Sequence, residues 1–449
     1  MRKNYFKTAW RNLKRHKGFA AINFVGLYIS VLCCLLIALI ILHETSFDKT
    51  ANDNSNIYRI VESSVSSNGK SYTPVTQYPL ATALRVAMPD EKLISQIHYQ
   101  ANSLVSFSNK KFKEEKIIFA DSVFPRLFPL KVKQGSIERA LAEPGFAILT
   151  ETTARKFFGN TDPIGKRFKM ANLIDLQVAA VVGDAPSNTH LPYNMLLSFS
   201  NLRPEFIGGL PLNQWGVSSQ GFVYVGLKNK NEIKHTETEL NILAKDHLNE
   251  EKQGQITTLS LQPLADIHFD QLYALQNPSY TINYDYLYLV GAIGLFLILA
   301  ACINYVNLST ALAIKKSKEV GVRKTLGATR NDLIKQFLSE TFFLTGLVIL
   351  SAALSVRFFI PPLNNFLHRD IPLDWFHVNS VLILIGLWLS ISFLSGLYPA
   401  LVLSGFNPVT ALQNKTATPG TSVNNLRRGL VVFQFLTAQV LIIGALVVA

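Results

Sequence analysis

The sequence predicts an α-helical membrane protein with an α+β domain inserted between its first and second spans. Three observations predict it. The apolar residues, 49% of a 449-residue chain, gather into separate long runs. The Lys and Arg residues gather at alternate connections between those runs. One connection, residues 43–285, is long, charge-balanced and rich in strand-like stretches.

Taken in order, residues 4–17 (NYFKTAWRNLKRHK) put Tyr5, Phe6, Ala9, Trp10 and Leu13 on one helical face, with Lys7, Arg11, Lys14 and Arg15 elsewhere. That pattern predicts a basic amphipathic helix lying along the inner leaflet, within a cytoplasmic segment 1–18. Phe19–Leu42 follows, 24 residues without a formal charge. At ~1.5 Å per residue such a helix crosses a ~30 Å hydrocarbon core with some tilt. The run exceeds the apolar region of a signal peptide, and no A-x-A site follows it. Tyr286–Ile314, Phe337–Ile360 and Ser380–Leu403 predict three more spans, and Gly429–Ala449 the start of a fifth.

Charge sets the orientation. Residues 1–18 carry seven Lys/Arg and no acid, and the 315–335 loop carries seven against Glu319 and Asp332. The 404–428 linker holds Lys415, Arg427 and Arg428, whereas the 361–379 loop holds only Arg369, against Asp370 and Asp374. The amino terminus, the 315–335 loop and the linker are therefore expected in the cytoplasm, and residues 43–285 outside, in a cytoplasmic (inner) membrane. The same count removes any need for a nucleic-acid partner. Residues 43–285 hold 24 Lys/Arg and 25 Asp/Glu, so the net charge of +13 comes from the membrane-flanking remainder, 19 against 5. That excess suits lipid headgroups. Cys33, Cys34 and Cys302 all fall in spans, so the outer domain holds no disulfide and no thiolate metal site.

Within the insert, strand-like runs occur at 56–65, 116–121, 146–150, 176–184, 222–228 and 257–264, with helical stretches at Tyr78–Met88, Glu151–Phe158 and Glu232–Asn249. Thr150 precedes the second helix as a cap and Gly159 follows it as a stop. The order reads as α+β and not as a Rossmann alternation. GNTDPIGKR (159–167) is no phosphate loop: five residues separate Gly159 from Gly165, and Arg167 stands where Ser or Thr must ligate magnesium. The outer histidines, His98, His190, His235, His247 and His268, show no metal-ligand spacing, and no nucleophile elbow occurs. Asn304 and Asn307, inside the second span, read as interhelical hydrogen-bonding groups, with a polar translocation path as the alternative.

The 315–340 segment, KKSKEVGVRKTLGATRNDLIKQFLSE, is ordered as a charged half-turn, a short helix, a Gly-Ala break and a second helix entering the membrane. Its 318–328 string, KEVGVRKTLGA, resembles the signature of the FtsX/MacB-type ABC transporter permeases. RNLKRHKGFAAINFVGL (11–27) resembles their amino-terminal start. FFGNTDPIGKRF (157–168) with VAAVVGD (178–184) resembles the MacB-like periplasmic core domain, and FDKTANDNSNIYRI (47–60) its opening in the large Bacteroidota form. The resemblance implies a permease without catalysis of its own, working with a separate cytoplasmic ABC ATPase that binds the ATP. This chain would bind no cofactor. It further implies mechanotransmission, in which closure of the ATPase moves the periplasmic domain to export amphiphilic substrates, with an adaptor or outer-membrane partner outside. An FtsX-like signalling subunit that regulates an extracytoplasmic partner, such as a cell-wall hydrolase, is the alternative; a sensor without an ATPase conflicts with the loop signature. Lys318 to Ala328 would then be the ATPase-coupling segment, with Glu319, Arg323 and Lys324 as polar contacts, Val320, Val322 and Leu326 as packing, and Gly321, Gly327 and Ala328 within it. The periplasmic domain would have two lobes, 56–105 with 220–265, and 106–219, followed by a permease domain over 286–403.

Two features bear on completeness. No ATPase domain precedes the first span, unlike MacB. Arg11-Asn12-Leu13-Lys14-Arg15 is echoed at Asn424-Asn425-Leu426-Arg427-Arg428, and the fifth run is still apolar at Ala449. The expectation is a chain that is the first half, plus one helix, of something about twice as long.

The charge asymmetry makes a direct prediction. In a background lacking the three cysteines, single cysteines at Ser67 and Asn229 label from outside intact cells, while those at Thr329 and Thr418 label only after lysis. External labelling at Thr329 overturns the orientation.

Overall fold

A computed structural model describes residues 17–49, 56–67, 69–216, 220–249, 256–373, 378–405 and 421–448; nearly all of the 4–17 stretch and most of the linker lie outside these. In chain order, helix α1 (Lys17–Thr45) leads into a sheet with helices α2 (Leu80–Ala87), α3 (Glu151–Phe158) and α4 (Glu232–His247). Helices α5 (Tyr284–Thr325), α6 (Arg330–Leu367), α7 (Val378–Ser404) and α8 (Thr421–Val448) follow. The chain divides into two compact units, residues 1–43 with 285–449, and residues 44–284.

In the helical unit, Ala20–Thr45, Tyr284–Leu312, Arg330–Leu367 and Val378–Ser404 are each long and apolar enough to cross a membrane. Their core joins Leu27, Val31 and Leu35 of α1, Cys302 of α5, Val348, Ala352 and Val356 of α6, and Ile391 of α7. Lipid supplies no hydrophobic drive between helices, so contact depends on small residues and interhelical hydrogen bonds. Both are present. A Cβ on Gly396 would meet Thr341 at 3.0 Å, and one on Gly346 would meet the Trp388 ring at 3.2 Å. Thr345 and Ser392 hydroxyls lie 2.6 Å apart, Tyr28 donates to Ser355 at 2.7 Å, and Tyr305 meets Thr341 at 3.1 Å. Asn307, expected to bond across helices, leaves its Oδ1 without a partner among the described residues.

The sheet unit is built on thirteen strands: β1 (Ile57–Ser66), β2 (Gly69–Thr73), β3 (Ile94–Gln100), β4 (Ser103–Phe107), β5 (Lys110–Glu114), β6 (Ile117–Ala120), β7 (Val132–Gly135), β8 (Phe146–Thr150), β9 (Arg167–Met170), β10 (Ile174–Val182), β11 (Met195–Ser198), β12 (Gly221–Gly226) and β13 (Ile256–Pro263). They form one mixed sheet in the order β13-β1-β12-β3-β6-β11-β8-β10-β9-β4-β5, with β2 on β1 and β7 on β10. The β8–β10 and β6–β11 pairs are parallel. Side chains alternate between faces along each strand. Ile57, Ile97, Ile118, Ile148, Leu196, Phe222 and Tyr224 build one core that runs across the sheet. The opposite face is split. Tyr58, Ile60, Ile94, Val223 and Val225 pack under α2 and α4, while Ile117, Phe119, Ala147, Leu149 and Leu197 pack under α3. The two halves of this unit therefore share a sheet and one core but not the other. β4 goes with the second half: it pairs with β9 and β5, and Val105 joins the α3 core.

The GNTDPIGKR and VAAVVGD strings both brace α3. Thr150 caps its start, accepting from Thr153 N, and Asp184 accepts from Thr152 N and Oγ1 at 3.1 and 2.7 Å. Gly159 ends it at φ 64°. The glycine loop thus follows a helix C-terminus, where the dipole disfavours anions, unlike the helix N-terminus of a phosphate loop.

The β13 edge is closed by α4. Asn241 bonds both the N–H and the C=O of Leu259 (3.2 and 3.1 Å), Asn249 does the same for Thr257 (2.6 and 3.0 Å), and Glu237 takes Leu261 N–H. An open edge is a template for pairing with another chain. The Asn241→Ala, Asn249→Ala double variant is expected to lose about 2–4 kcal/mol, at ~1 kcal/mol per hydrogen bond, and to self-associate through β13. Thermal unfolding and light scattering check it; an unchanged melting temperature contradicts it.

Candidate coupling site

The segment after the second span is not a separate short helix, as the sequence order implied. Residues up to Thr325 continue α5 without a break from Tyr284, 42 residues in all. The helix is stopped by its backbone. Gly327 adopts φ 93°, its N–H bonds Lys324 O at 3.1 Å, and Ala328 N bonds Arg323 O at 3.0 Å. This is a Schellman motif, and only glycine takes that conformation without strain. Thr329 then opens α6 with a capping box: Asp332 N donates to Thr329 Oγ1 at 3.2 Å, and Thr329 N donates back to Asp332 Oδ2 at 3.2 Å. Two helices are thus joined by a turn with its end groups satisfied.

The predicted coupling residues separate by role. Val320 is 2% exposed and packs with Leu333 and Phe337 of α6 and Ala400 and Leu403 of α7. It belongs to the interior of the helical unit and offers a partner nothing, a correction to the reading of all three apolar residues as contacts. Gly321 beside it is also buried. Val322 and Leu326, four residues apart and so on one face, are 46% and 82% exposed. Arg323 is committed within the chain: it donates to Glu319 Oε1 at 2.7 Å and to Gln336 Oε1. Gln336 is buried, and it passes the bond on to Glu340 at 3.3 Å. Lys324, half-buried, completes the last turn with Arg323, where cations offset the helix dipole. The side chain of Lys318 lies outside the described residues. Sequence reasoning missed Gln336, Leu333 and Phe337, whose part in the junction depends on α6 folding back along α5.

Two family models match the chain. Residues 20–243 match the MacB-like periplasmic core domain, and residues 291–408 the FtsX-like permease C-terminal. The chain belongs to the FtsX/MacB-type ABC transporter permeases. Among relatives of this permease, the pyoverdine export ATP-binding/permease protein PvdT of Pseudomonas savastanoi is 22% identical over 76% of this chain and 49% of its own length. The macrolide export ATP-binding/permease protein MacB of Bdellovibrio bacteriovorus is 24% identical over 60% of this chain and 38% of its own. The permease chain thus spans about half the length, or less, of these relatives. Among solved structures, a permease domain from Porphyromonas gingivalis is 21% identical, covers 47% of this chain and 90% of its own, and superposes with a TM-score of 0.41.

The junction geometry gives Arg323 an internal role that is measurable without any partner. Arg323→Ala strips Gln336 and Glu319 of their charged donor, a loss of about 1.5–3 kcal/mol for hydrogen bonds to a charged group. Amide hydrogen exchange over 319–329 is expected to speed up at least tenfold in the isolated permease. Exchange at the wild-type rate contradicts the internal role.

Proposed function

We propose that this permease transmits the work of a separate cytoplasmic ABC ATPase to a periplasmic domain formed by residues 44–284, for the export of amphiphilic substrates. The observation that carries this reading is α5. It is one helix from the exit of the sheet unit at Tyr284 to the turn at Gly327. At ~1.5 Å per residue it is ~63 Å long, about twice a bilayer core. About 20 Å of it, from Ala313 onward, extends past the last apolar turn of the span. A continuous helix carries displacement along its axis without needing a path between the spans.

Val322 and Leu326 are the docking face in this reading. Exposed apolar residues beside a basic turn are costly unless a partner covers them. A groove on the ATPase would take them, with Lys324 at its rim. Glu319 and Arg323 hold the turn in shape, Val320 and Gly321 seat it against α6 and α7, and Gly327 and Ala328 reverse the chain. ATP is bound by the partner. The basic loops face the cytoplasm, the sheet unit faces the periplasm, and an adaptor or outer-membrane protein is the expected outer partner.

The test is pull-down of the tagged full chain from membranes of its own host, with ATP hydrolysis in the eluate as readout. Burying one leucine contributes about 1.5–3 kcal/mol, and an aspartate in its place adds a desolvation cost. Leu326→Asp is expected to lose the co-purified ATPase activity at least tenfold. Leu210→Asp, an exposed leucine of the sheet unit, is expected to keep it. Equal activity in the two variants overturns the docking face.

A further inference from the structure

A cleft of about 670 Å³ lies within the sheet unit, lined by residues of β3, the 113–116 segment, Gln220 and the 276–278 turn. Its size falls in the usual range for small-molecule sites. Its lining is unusual for a void left by packing. Five of its residues carry side-chain amides: Gln100, Asn102, Gln220, Gln276 and Asn277.

The amides are held from behind. Tyr78 Oη lies 2.9 Å from His98 Nδ1, and His98 Nε2 lies 3.3 Å from Gln100 Oε1. With the tyrosine donating to Nδ1, the imidazole donates from Nε2 to Gln100, whose amide nitrogen then donates to Asn102 O at 3.0 Å. His98 itself is 2% exposed. A buried histidine therefore sets which way the amide of Gln100 points. Asn277 is set likewise. Buried Arg59 donates to its Oδ1 at 2.6 Å, and its Nδ2, turned the other way, has no partner among the described residues. Gln220 and Gln276 stand at φ 52° and 69°. Non-glycine residues held in the left-handed region cost energy and gather at ligand sites. The one remaining charge is Lys116, exposed and without an ion pair among the described residues, since Lys113 is taken by Glu115 at 3.2 Å.

We propose that this cleft binds a peptide-like chain carrying a carboxylate. Side-chain amides offer a donor and an acceptor in one plane, which matches the N–H and C=O of a backbone amide. Lys116 supplies the counter-charge for the carboxylate. Only in taking that ligand as the exported substrate does the proposal rest on the coupling reading above.

The test is calorimetric titration of the full chain in nanodiscs with acetyl-Ala-Ala-Ala-Glu, and with acetyl-Ala-Ala-Ala-Ala-amide as the neutral probe. Wild type is expected to bind the acidic peptide saturably and at least fivefold more tightly than the neutral one. Lys116→Glu is expected to weaken the acidic peptide at least tenfold while leaving the neutral one within twofold. His98→Phe is expected to weaken both peptides, because it frees Gln100 to turn. No saturable binding of the acidic peptide, an unaltered Lys116→Glu affinity, or preference for maltotriose over both peptides each overturns the site. ATP turnover of the pulled-down complex, measured with and without peptide, is a separate readout. Binding without a change in turnover keeps the site and removes only its link to export, whereas loss of binding with Leu326 coupling intact removes only the site.

Discussion

An insertion of 241 residues between two helices has to close on itself, and a buried carboxylate does the closing. Glu44, in the last turn of α1, is fully buried; its Oε2 lies 2.6 Å from His268 Nε2, and Tyr280 donates to its Oε1 at 3.1 Å. Phe47 stacks on the His268 ring at 3.5 Å, and Ile282 N bonds His268 O at 2.9 Å. The first and last segments of the sheet unit are thereby fastened side by side. A buried polar group left without its partner costs about 1–3 kcal/mol, so each member of this cluster depends on the others. The polar interior continues inward. Asp48 accepts from Thr189 Oγ1 at 3.0 Å and lies 2.9 Å from His190 Nδ1, and His190 meets Tyr224 at 2.9 Å. Behind them Arg59 donates to Gln262 at 2.6 Å. Burial lowers the pKa of Arg59, while Tyr224, Asp270 and Asp48 push it back up. A guanidinium without water is tolerated there only because every neighbour accepts from it or opposes its charge.

How much of this was legible in the sequence follows from what each element depends on. The four spans and their boundaries rest on hydropathy, a local property. The strands legible in the sequence, such as 146–150 and 222–228, are apolar on both faces and carry β-branched or aromatic residues. The strands that were missed are polar or short. β3, ISQIHYQ, buries His98 and Gln96 because Tyr78, just before α2, bonds both side chains, and β11, MLLS, is four residues whose strand character comes from β6 and β8 on either side. Nothing within either segment announces a strand. The long-range pairing of β4 with β9, which moves Val105 into the second half, is equally invisible to a local reading.

The coupling junction was legible in its turn and illegible in its faces. Gly327, Thr329 and Asp332 declare a helix stop and start by residue type alone. Which side of the preceding helix meets α6 and α7 does not follow from the string KEVGVRKTL, because its apolar residues are spaced by two and by four and favour no single face. The packing decides. Val320 points inward, Val322 and Leu326 outward, and Arg323 is drawn to Gln336 across the turn. The charged residues that looked like partner contacts are in part the means by which the turn keeps its shape.

Proline placement separates the helices by task. α6 carries Pro361 and Pro362, and α7 carries Pro399, each removing a backbone bond and allowing a kink. α1 and α5, the two helices continuous with the sheet unit, contain none over 29 and 42 residues. In the proposed reading, a helix that transmits displacement along its length holds no proline hinge, whereas one that only fills the bundle tolerates it. The absence of proline from α5 leaves its backbone hydrogen bonding unbroken from Tyr284 to Thr325. Among the described helices of this unit, the breaks lie at Gly327 and at the prolines of α6 and α7.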